Sequence, residues 1–154
     1  MLPANFLTDN RPLRAADAVA AIITVEDGRY LMQLRDDIPG IFYPGHWGCF
    51  GGAVAAGEDP RQALARELEE ELEMQVATAG EFITFDFDLT TVGKSRCYRA
   101  YYEIAISESV NSRLVLHEGA DKKLFGAAEL FALPHVTPYD SFALWLHFAR
   151  RRLA

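Results

Sequence analysis

Residues 52–74 read GAVAAGEDPRQALARELEEELEM, and most of this stretch is typical of a helix with a well-marked start. Asp59 is a favourable N-cap residue, Pro60 suits the first helical position, and Gln62 completes a capping-box pattern. Helix-forming residues follow without a break, so the sequence predicts a helix from about Pro60 to Glu73.

The second half of this helix carries a high density of negative charge. Glu67, Glu69, Glu70 and Glu71 lie within little more than one turn. Like charges three or four residues apart on a helix repel each other by roughly a few tenths of a kcal/mol. The run is therefore either a solvated helix face or a site that attracts a cation.

A helical wheel separates these glutamates, because each residue advances by about 100°. Three leucines form the apolar stripe: Leu64, Leu68 and Leu72. Glu67 and Glu71 fall beside this stripe, Glu70 lies farther round, and Glu69 points towards water. A carboxylate beside a buried face is costly unless a cation, a hydrogen bond or a proton compensates. A Mg²⁺ site and a solvated face both stay open on this reasoning.

The same stretch resembles the Nudix box, G-x5-E-x7-R-E-U-x-E-E-x-G-U, in which U is a bulky aliphatic residue. Seven positions match at the required spacing: Gly52, Glu58, Arg66, Glu67, Leu68, Glu70 and Glu71. Two positions depart, since Glu73 replaces the box glycine and Met74 replaces the final aliphatic residue. Glycine would permit a left-handed end to the helix, whereas Glu73 must continue the helix or accept a strained φ. The helix is therefore expected to run longer than in similar proteins.

The resemblance implies a Nudix-like α/β/α sandwich with a mixed β-sheet, formed as a single domain over residues 1–154. It also implies Mg²⁺- or Mn²⁺-dependent hydrolysis of a phosphoanhydride bond in a nucleoside diphosphate linked to another moiety. The metal ligands it implies are Glu67, Glu70, Glu71 and the carbonyl oxygen of Gly51. Arg66 and Glu58 are matched to a supporting role, in which they orient the acidic cluster by hydrogen bonds.

The general base is less well defined by the resemblance. Similar proteins use either a box glutamate or an acid from a loop beyond the sheet, and the loop HEGAD at residues 117–121 offers Glu118 and Asp121. Glu67 is the first choice and Glu118 the second, while an ordinary turn is the alternative for both loop acids. The predicted catalytic set is therefore Glu58, Arg66, Glu67, Glu70 and Glu118.

The substrate is narrowed only to a class. The main candidates are nucleoside triphosphates and nucleotide sugars. The proline that ADP-ribose hydrolases tend to have beyond the box is absent, and so is the tyrosine that dinucleoside polyphosphate hydrolases tend to have there. Three aromatic residues could stack on a base or simply pack in the core: Phe42, Tyr43 and Trp47. Four basic residues could contact phosphate: Arg35, Lys94, Arg96 and Arg99. The alternatives are a non-catalytic Nudix-like nucleotide-binding module and an acidic interaction helix, and the latter predicts no effect of metal.

Composition sets the remaining limits. The 154 residues, 50% of them hydrophobic, describe one domain with a substantial core. The formal net charge of −7 gives no electrostatic footprint for nucleic acid or for an anionic membrane, so a polyanionic substrate would need help from metal. We found neither an export signal nor an apolar segment of about 18 residues, so a cytoplasmic location is expected. A homodimer is an expectation from the family alone.

The rest of the chain predicts mainly strands. Five are expected, at residues 18–25, 30–35, 49–54, 81–89 and 97–106, with a hairpin turn at Asp27-Gly28 between the first two. Residues 113–125 predict a further strand, a turn at Gly119 and a return to the core. A short helix or turn is expected at residues 127–130. The last helix begins at Pro138, and Phe142, Leu146 and Ala149 recur along it at helical spacing.

Overall fold

The computed structural model describes residues 16–153 of the chain. Its strands are β1 Ala18–Val25, β2 Tyr30–Leu34, β3 Trp47–Gly48, β4 Gly80–Phe87, β5 Cys97–Ile106 and β6 Asp121–Phe125. Its α-helices are α1 Pro60–Leu72, α2 Glu108–Asn111, α3 Ala127–Ala132 and α4 Pro138–Leu153, and a short 3₁₀ helix lies at Thr90–Val92.

The strands form one mixed sheet in the order β3-β2-β1-β5-β4, and β6 pairs with β2. The predicted hairpin is confirmed, because β1 and β2 are antiparallel and Gly28 in the turn has a φ of 83°. The parallel pair β1 and β5 lies at the centre, with Ala18 opposite Arg99. This register brings the start of β1 and the start of β5 to the same end of the sheet.

Helices cover both faces of the sheet. On one face, Val19, Ala21 and Ile23 of β1 pack into the core that also contains the leucines of α1. On the other face, Ala20 and Ile22 pack into the core that contains Ala143 and Leu144 of α4. Because both faces are covered, β1 is apolar along most of its length rather than alternating. The predicted α/β/α sandwich with a mixed sheet is confirmed.

Two predicted strands are wrong. Residues 49–54 form isolated bridges to β1, in which the carbonyls of Phe50 and Gly52 accept hydrogen bonds from β1 at 2.8 and 2.9 Å. The regular strand there is the two-residue β3. Residues 113–120 form no strand, because the N–H groups of Val115 and His117 donate to carbonyls at the end of α1, at 3.2 and 2.9 Å, instead of to a neighbouring strand.

The expected extension of α1 is also wrong. The helix ends at Leu72, and Glu73 adopts the left-handed conformation, with φ 52° and ψ 34°. The N–H groups of Glu73 and Met74 donate to the carbonyls of Glu69 and Leu68, at 3.0 and 3.1 Å, which satisfies the helix end. These hydrogen bonds, together with the burial of Met74, offset the strain that glycine would have avoided.

The last helix buries a different face from the one that its aromatic spacing suggests. Phe142 is 53% exposed, whereas Asp140, Ala143, Leu144 and His147 are buried. None of the helices in the described residues is both long enough and apolar enough to cross a membrane.

Candidate active site

A cavity of about 440 Å³ lies at the end of the sheet where β1 begins. Its lining includes Glu67, Glu71 and Glu118, which we call the carboxylate end. It also includes Arg35, Phe42, Arg99 and Tyr139, which we call the arginine end. Two other depressions of about 580 Å³ contain none of the predicted catalytic or metal-binding residues, although Arg96 lines one of them.

The two ends lie on opposite sides of the sheet. Glu67 and Glu71 project from α1, which covers one face. Arg99 shares its face of β5 with Tyr101, because side chains alternate along a strand, and Tyr101 packs into the core beside α4. The cavity therefore extends around the end of the sheet from the α1 side to the α4 side.

Glu71 is the most deeply buried acid at the carboxylate end, with only 2% of its surface exposed. The Gly51 N–H donates to its Oε2 at 2.9 Å, and Gln33 Nε2 donates to its Oε1 at 3.0 Å. Burial raises the pKa of Glu71 to about 8, although both hydrogen bonds oppose the shift. The carboxyl group is thus fixed in orientation by two neutral donors.

The glycine pair allows the backbone to approach these acids closely. A Cβ atom at Gly51, where φ is 130°, would lie 2.3 Å from the Val19 carbonyl oxygen. A Cβ atom at Gly52 would lie 2.4 Å from the carboxyl carbon of Glu67. At Gly51 only glycine fits, because the clash is with backbone and φ is positive, whereas a side chain at Gly52 would displace the Glu67 carboxylate.

Arg66 joins two of the predicted acids. Its Nε and Nη2 donate to the two carboxylate oxygens of Glu58 at 2.9 and 3.0 Å, and its Nη1 donates to Glu67 Oε1 at 2.8 Å. Burial raises the pKa of Glu67, and Arg66 counteracts part of that rise. The structure therefore contains the hydrogen bonds expected of Arg66 and Glu58, while their role in catalysis stays a prediction.

Glu70 differs from the other predicted ligands. Its side chain is 60% exposed, it approaches Arg66 Nη1 at 3.4 Å, and it is not part of the cavity lining. Gly51, Glu67 and Glu71 do line the cavity, so the predicted metal set is divided between the wall and the outer edge of α1. Glu69 is exposed, as the wheel predicts.

The loop at residues 117–121 contributes Glu118 and not Asp121. Glu118 lines the cavity, and its charge helps to raise the pKa values of Glu71 and Glu67, so the three carboxyl groups are neighbours. Asp121 opens β6, where its carboxylate accepts the N–H of Lys122 at 2.8 Å. Of the two acids that the sequence offered, the structure thus places Glu118 at the site.

Gln33 was missed by the sequence reasoning. Its Nε2 donates both to Glu71 Oε1 and to the main-chain carbonyl of Glu118, each at 3.0 Å. It is 3% exposed. The available signal was a polar residue in the otherwise apolar strand YLMQL, since buried polar groups usually have a specific partner.

The oxygen donors at the carboxylate end suit a hard divalent cation such as Mg²⁺. Burial raises the pKa of Glu67 and of Glu71, and a bound cation would favour their ionised forms. In the described part of the chain, no three carboxylate, imidazole or thiol groups are arranged to hold a metal by themselves. A cation would therefore need further oxygen ligands from water or substrate, which Mg²⁺ commonly has.

The arginine end is built around a buried ion pair. Asp140 is 1% exposed, and Arg99 approaches its Oδ1 through Nε and Nη2, both at 3.1 Å. Asp140 also accepts hydrogen bonds from the Tyr101 hydroxyl, the Thr137 hydroxyl and the Cys49 N–H, at 2.8, 2.7 and 2.9 Å. Burial alone would lower the pKa of Arg99, but the attraction of Asp140 raises it, so Arg99 stays charged.

The structure separates the aromatic and basic candidates. Among the aromatics, Phe42 lines the cavity, Tyr43 packs against Tyr139 with ring centroids 5.6 Å apart, and Trp47 packs against Phe125 at 4.8 Å. Among the basic residues, Arg35 and Arg99 line the cavity, whereas Lys94 and Arg96 are exposed and do not.

Comparisons with known proteins identify the family of this chain. The family model described as NUDIX domain matches residues 14–146. An RNA pyrophosphohydrolase from Gluconacetobacter diazotrophicus is 32% identical over 96 residues, covering 58% of this chain and 58% of that protein. A putative 8-oxo-dGTP diphosphatase 2 from Mycobacterium tuberculosis is 46% identical over 59 residues, covering 37% of this chain and 42% of that protein. The matched region thus spans about half the length of these relatives.

Solved structures show the same fold. A MutT protein from Methanosarcina mazei superimposes with a TM-score of 0.72 at 18% identity, covering 93% of this chain and 99% of that one. The NUDIX domain of Shewanella oneidensis NrtR, solved with ADP ribose, gives a TM-score of 0.67 at 21% identity and covers all of both chains.

Proposed function

Because the chain belongs to the Nudix family, we propose that it is a pyrophosphohydrolase that uses Mg²⁺ or Mn²⁺ to cleave a phosphoanhydride bond. The substrate is a nucleoside diphosphate linked to another moiety, namely a nucleoside triphosphate or a nucleotide sugar. The observation that carries this proposal is the carboxylate end of the cavity, where two acids with raised pKa values stand beside Glu118.

The proposed ligands of the metal are the Gly51 carbonyl, Glu67, Glu70 and Glu71. When bound, the metal would neutralise phosphate charge and lower the pKa of an attacking water. The chain itself supplies orientation, since Arg66 holds Glu67 while Gln33 and the Gly51 N–H hold Glu71.

Glu67 and Glu118 are the proposed proton acceptors. Both line the cavity, and the raised pKa of Glu67 moves it towards neutral pH, where a general base works best. Glu118 comes from a loop that hydrogen bonds fix to β2 and to the end of α1.

A small nucleotide fits this cavity better than a nucleic acid does. A volume of about 440 Å³ lies in the range of small-molecule sites. Both relatives described above are named for the hydrolysis of phosphate-containing substrates, one of them RNA. The formal net charge of −7 gives no general electrostatic attraction for a long polyanion, which favours the mononucleotide. The homodimer and the cytoplasmic location stay predictions.

The experiment is a screen of nucleoside triphosphates and nucleotide sugars with Mg²⁺, in which coupled pyrophosphatase or phosphatase reports phosphate release. Release by the wild-type chain, lost on metal removal and in Glu67→Gln, is the expected result. Nucleotide binding without release under any metal condition would instead identify a non-catalytic binding module.

A further inference from the structure

The inference concerns the Arg99 guanidinium at the arginine end of the cavity. The side chain of Arg99 is only 14% exposed, so the group is largely removed from water. Its central carbon lies 4.8 Å from the ring centroid of Tyr139 and 5.5 Å from that of Tyr101. Two aromatic rings and one carboxylate therefore fix its position, which makes it a rigid donor in the cavity wall.

Asp140 holds Arg99 in place, and both of its oxygens are already used by hydrogen bonds within the protein. Both of its oxygens accept hydrogen bonds from buried groups of the protein: Cys49, Arg99, Tyr101 and Thr137. A Cβ atom at Gly48 would lie 2.9 Å from Asp140 Oδ2, so the backbone also packs tightly against it. A ligand at this end consequently meets the donor of the ion pair and not its acceptor.

One corner of the guanidinium is left for a ligand. Within the described residues, the polar contacts of Arg99 use Nε and Nη2, and none of them uses Nη1. Arg35, on the same wall, donates its own Nε to the Phe42 carbonyl at 2.8 Å. The polar groups that this wall offers to a ligand are thus mainly hydrogen-bond donors.

We propose that Arg99 is a specificity-determining residue that selects nucleotides whose base carries an oxo group at purine position 6 or pyrimidine position 4. An oxo group accepts the fixed Nη1–H, whereas the amino group of adenine or cytosine would place a donor against a donor. This inference rests on the proposed function, because it assumes that the cavity takes a nucleotide.

The base, and not the phosphate, belongs at this end. Ala18 of β1 pairs with Arg99 on one side and with Ala53, which follows Gly51-Gly52, on the other. The backbone at Arg99 is therefore two strand spacings, about 10 Å, from the segment that contains the glycine pair. Phosphates would be held at the carboxylate end by metal. Phe42 and Tyr139 give the arginine end the aromatic surface on which a base can stack.

The test compares ITP with ATP, because the two differ in the group at position 6 and in the N1 proton that accompanies it. We expect kcat/KM for ITP to exceed that for ATP by at least about tenfold, since a site built around a hydrogen bond rejects the analogue that cannot form it. In the double variant Arg99→Gln/Asp140→Asn, which removes both buried charges together, the ITP/ATP ratio should fall towards one while turnover of ATP persists.

The matched control is Arg29→Gln/Asp27→Asn, which removes an exposed Arg–Asp pair 2.6 Å apart at the turn between β1 and β2, outside this cavity, and should leave the ratio unchanged. If a thermal melt shows that Arg99→Gln/Asp140→Asn is unfolded, Arg99→Lys replaces it. Lysine keeps the positive charge but lacks the planar set of guanidinium donors, so it should still lower the ITP/ATP ratio.

A wild-type ratio below about threefold would overturn the proposal. Equal losses with ITP and ATP in the Arg99 variants would also overturn it, because that pattern indicates phosphate contact or a purely structural role. If the wild-type chain hydrolyses no nucleotide, the proposed function fails independently of the role of Arg99. Calorimetry then gives the ratio of the Kd values for ATP and ITP, and the same threshold of about threefold decides the role of Arg99.

Discussion

The carboxylate end and the arginine end of the cavity both contain buried charge, but they compensate it differently. Asp140 at the arginine end has a cation, Arg99, within 3.1 Å and three further donors. Glu71 at the carboxylate end has two donors, and both are neutral. The arginine end is therefore complete without a ligand, whereas the carboxylate end becomes fully compensated only when it gains a cation or a proton.

The largest expected effect is on stability at the arginine end. Arg99→Met would leave Asp140 buried without its cation, so we expect the free energy of unfolding to fall by about 3–5 kcal/mol. Urea denaturation at pH 7 measures it. The control is the Arg99→Gln/Asp140→Asn variant, which should lose less, and an Arg99→Met loss below about 1 kcal/mol would show that the ion pair is not the main stabilising contact.

At the carboxylate end, removing a buried charge is expected to raise stability at high pH instead of lowering it. The pKa of Glu71 rises from 4.5 to about 8 on folding, so the native state holds a proton that the unfolded state has already lost. Glu71 therefore lowers stability progressively as the pH rises from about 4.5 to about 8. In EDTA, the stability of Glu71→Gln relative to wild type should therefore rise by on the order of 3 kcal/mol between pH 4 and pH 9, because Gln does not titrate. At pH 4 the variant should be the less stable chain, since its amide nitrogen faces one of the two donors.

Urea denaturation across this pH range provides the measurement for Glu71→Gln. The control is Glu69→Gln, which makes the same chemical change on the exposed side of the same helix and should follow the wild-type pH profile. A Glu71→Gln profile parallel to that of wild type would mean that the burial of Glu71 carries no such penalty.

Turnover should distinguish the two faces of α1. With saturating Mg²⁺, Glu67→Gln should lower kcat by at least about a hundredfold, the scale of losing one major electrostatic element of catalysis. Glu69→Gln should stay within about threefold of wild type and change stability by less than about 0.5 kcal/mol, as for an ordinary surface substitution. Equal damage in both variants would show that the metal face is assigned to the wrong side of the helix.

The smallest effect is expected in the loop at residues 117–121. Glu118→Gln should lower kcat by about tenfold or more, in the lower part of the range for losing a proton acceptor, because Glu67 can still serve. Asp121 is not part of the cavity lining, so Asp121→Asn should leave kcat close to that of wild type. Steady-state kinetics on both variants measures this, and near-wild-type turnover in each would remove the loop from the mechanism.

Local sequence signals predicted some parts of the molecule well. The N-cap at Asp59 is observed, its carboxylate accepts the Arg61 N–H at 2.9 Å, and the predicted start of α1 at Pro60 is confirmed. The strand at residues 97–106 has the predicted bounds. In both cases the signal lies within the segment itself, in its cap or in its β-rich composition.

Features that depend on distant partners could not be predicted in this way. The apolar residues 114–116 suggested a strand, but the N–H groups of Val115 and His117 donate to the end of α1. Asp140 lies in the first turn of α4, where no local signal marks a partner, and only the folded chain brings it to Arg99, 41 positions away. The helix end at Glu73 likewise depends on a tertiary arrangement that stabilises a left-handed residue.

The double hydrogen bond of Gln33 has a consequence for protein engineering. One amide nitrogen holds a side chain of α1 and the backbone of the loop that carries Glu118, so these two segments share a single anchor. A Cβ atom at Gly119 would come within 2.9 Å of the Gln33 side chain, which leaves little room for another residue there. A loop transplanted from a related protein would therefore need the matching residue at position 33 as well. The unit to exchange in redesign is the loop together with the middle of β2.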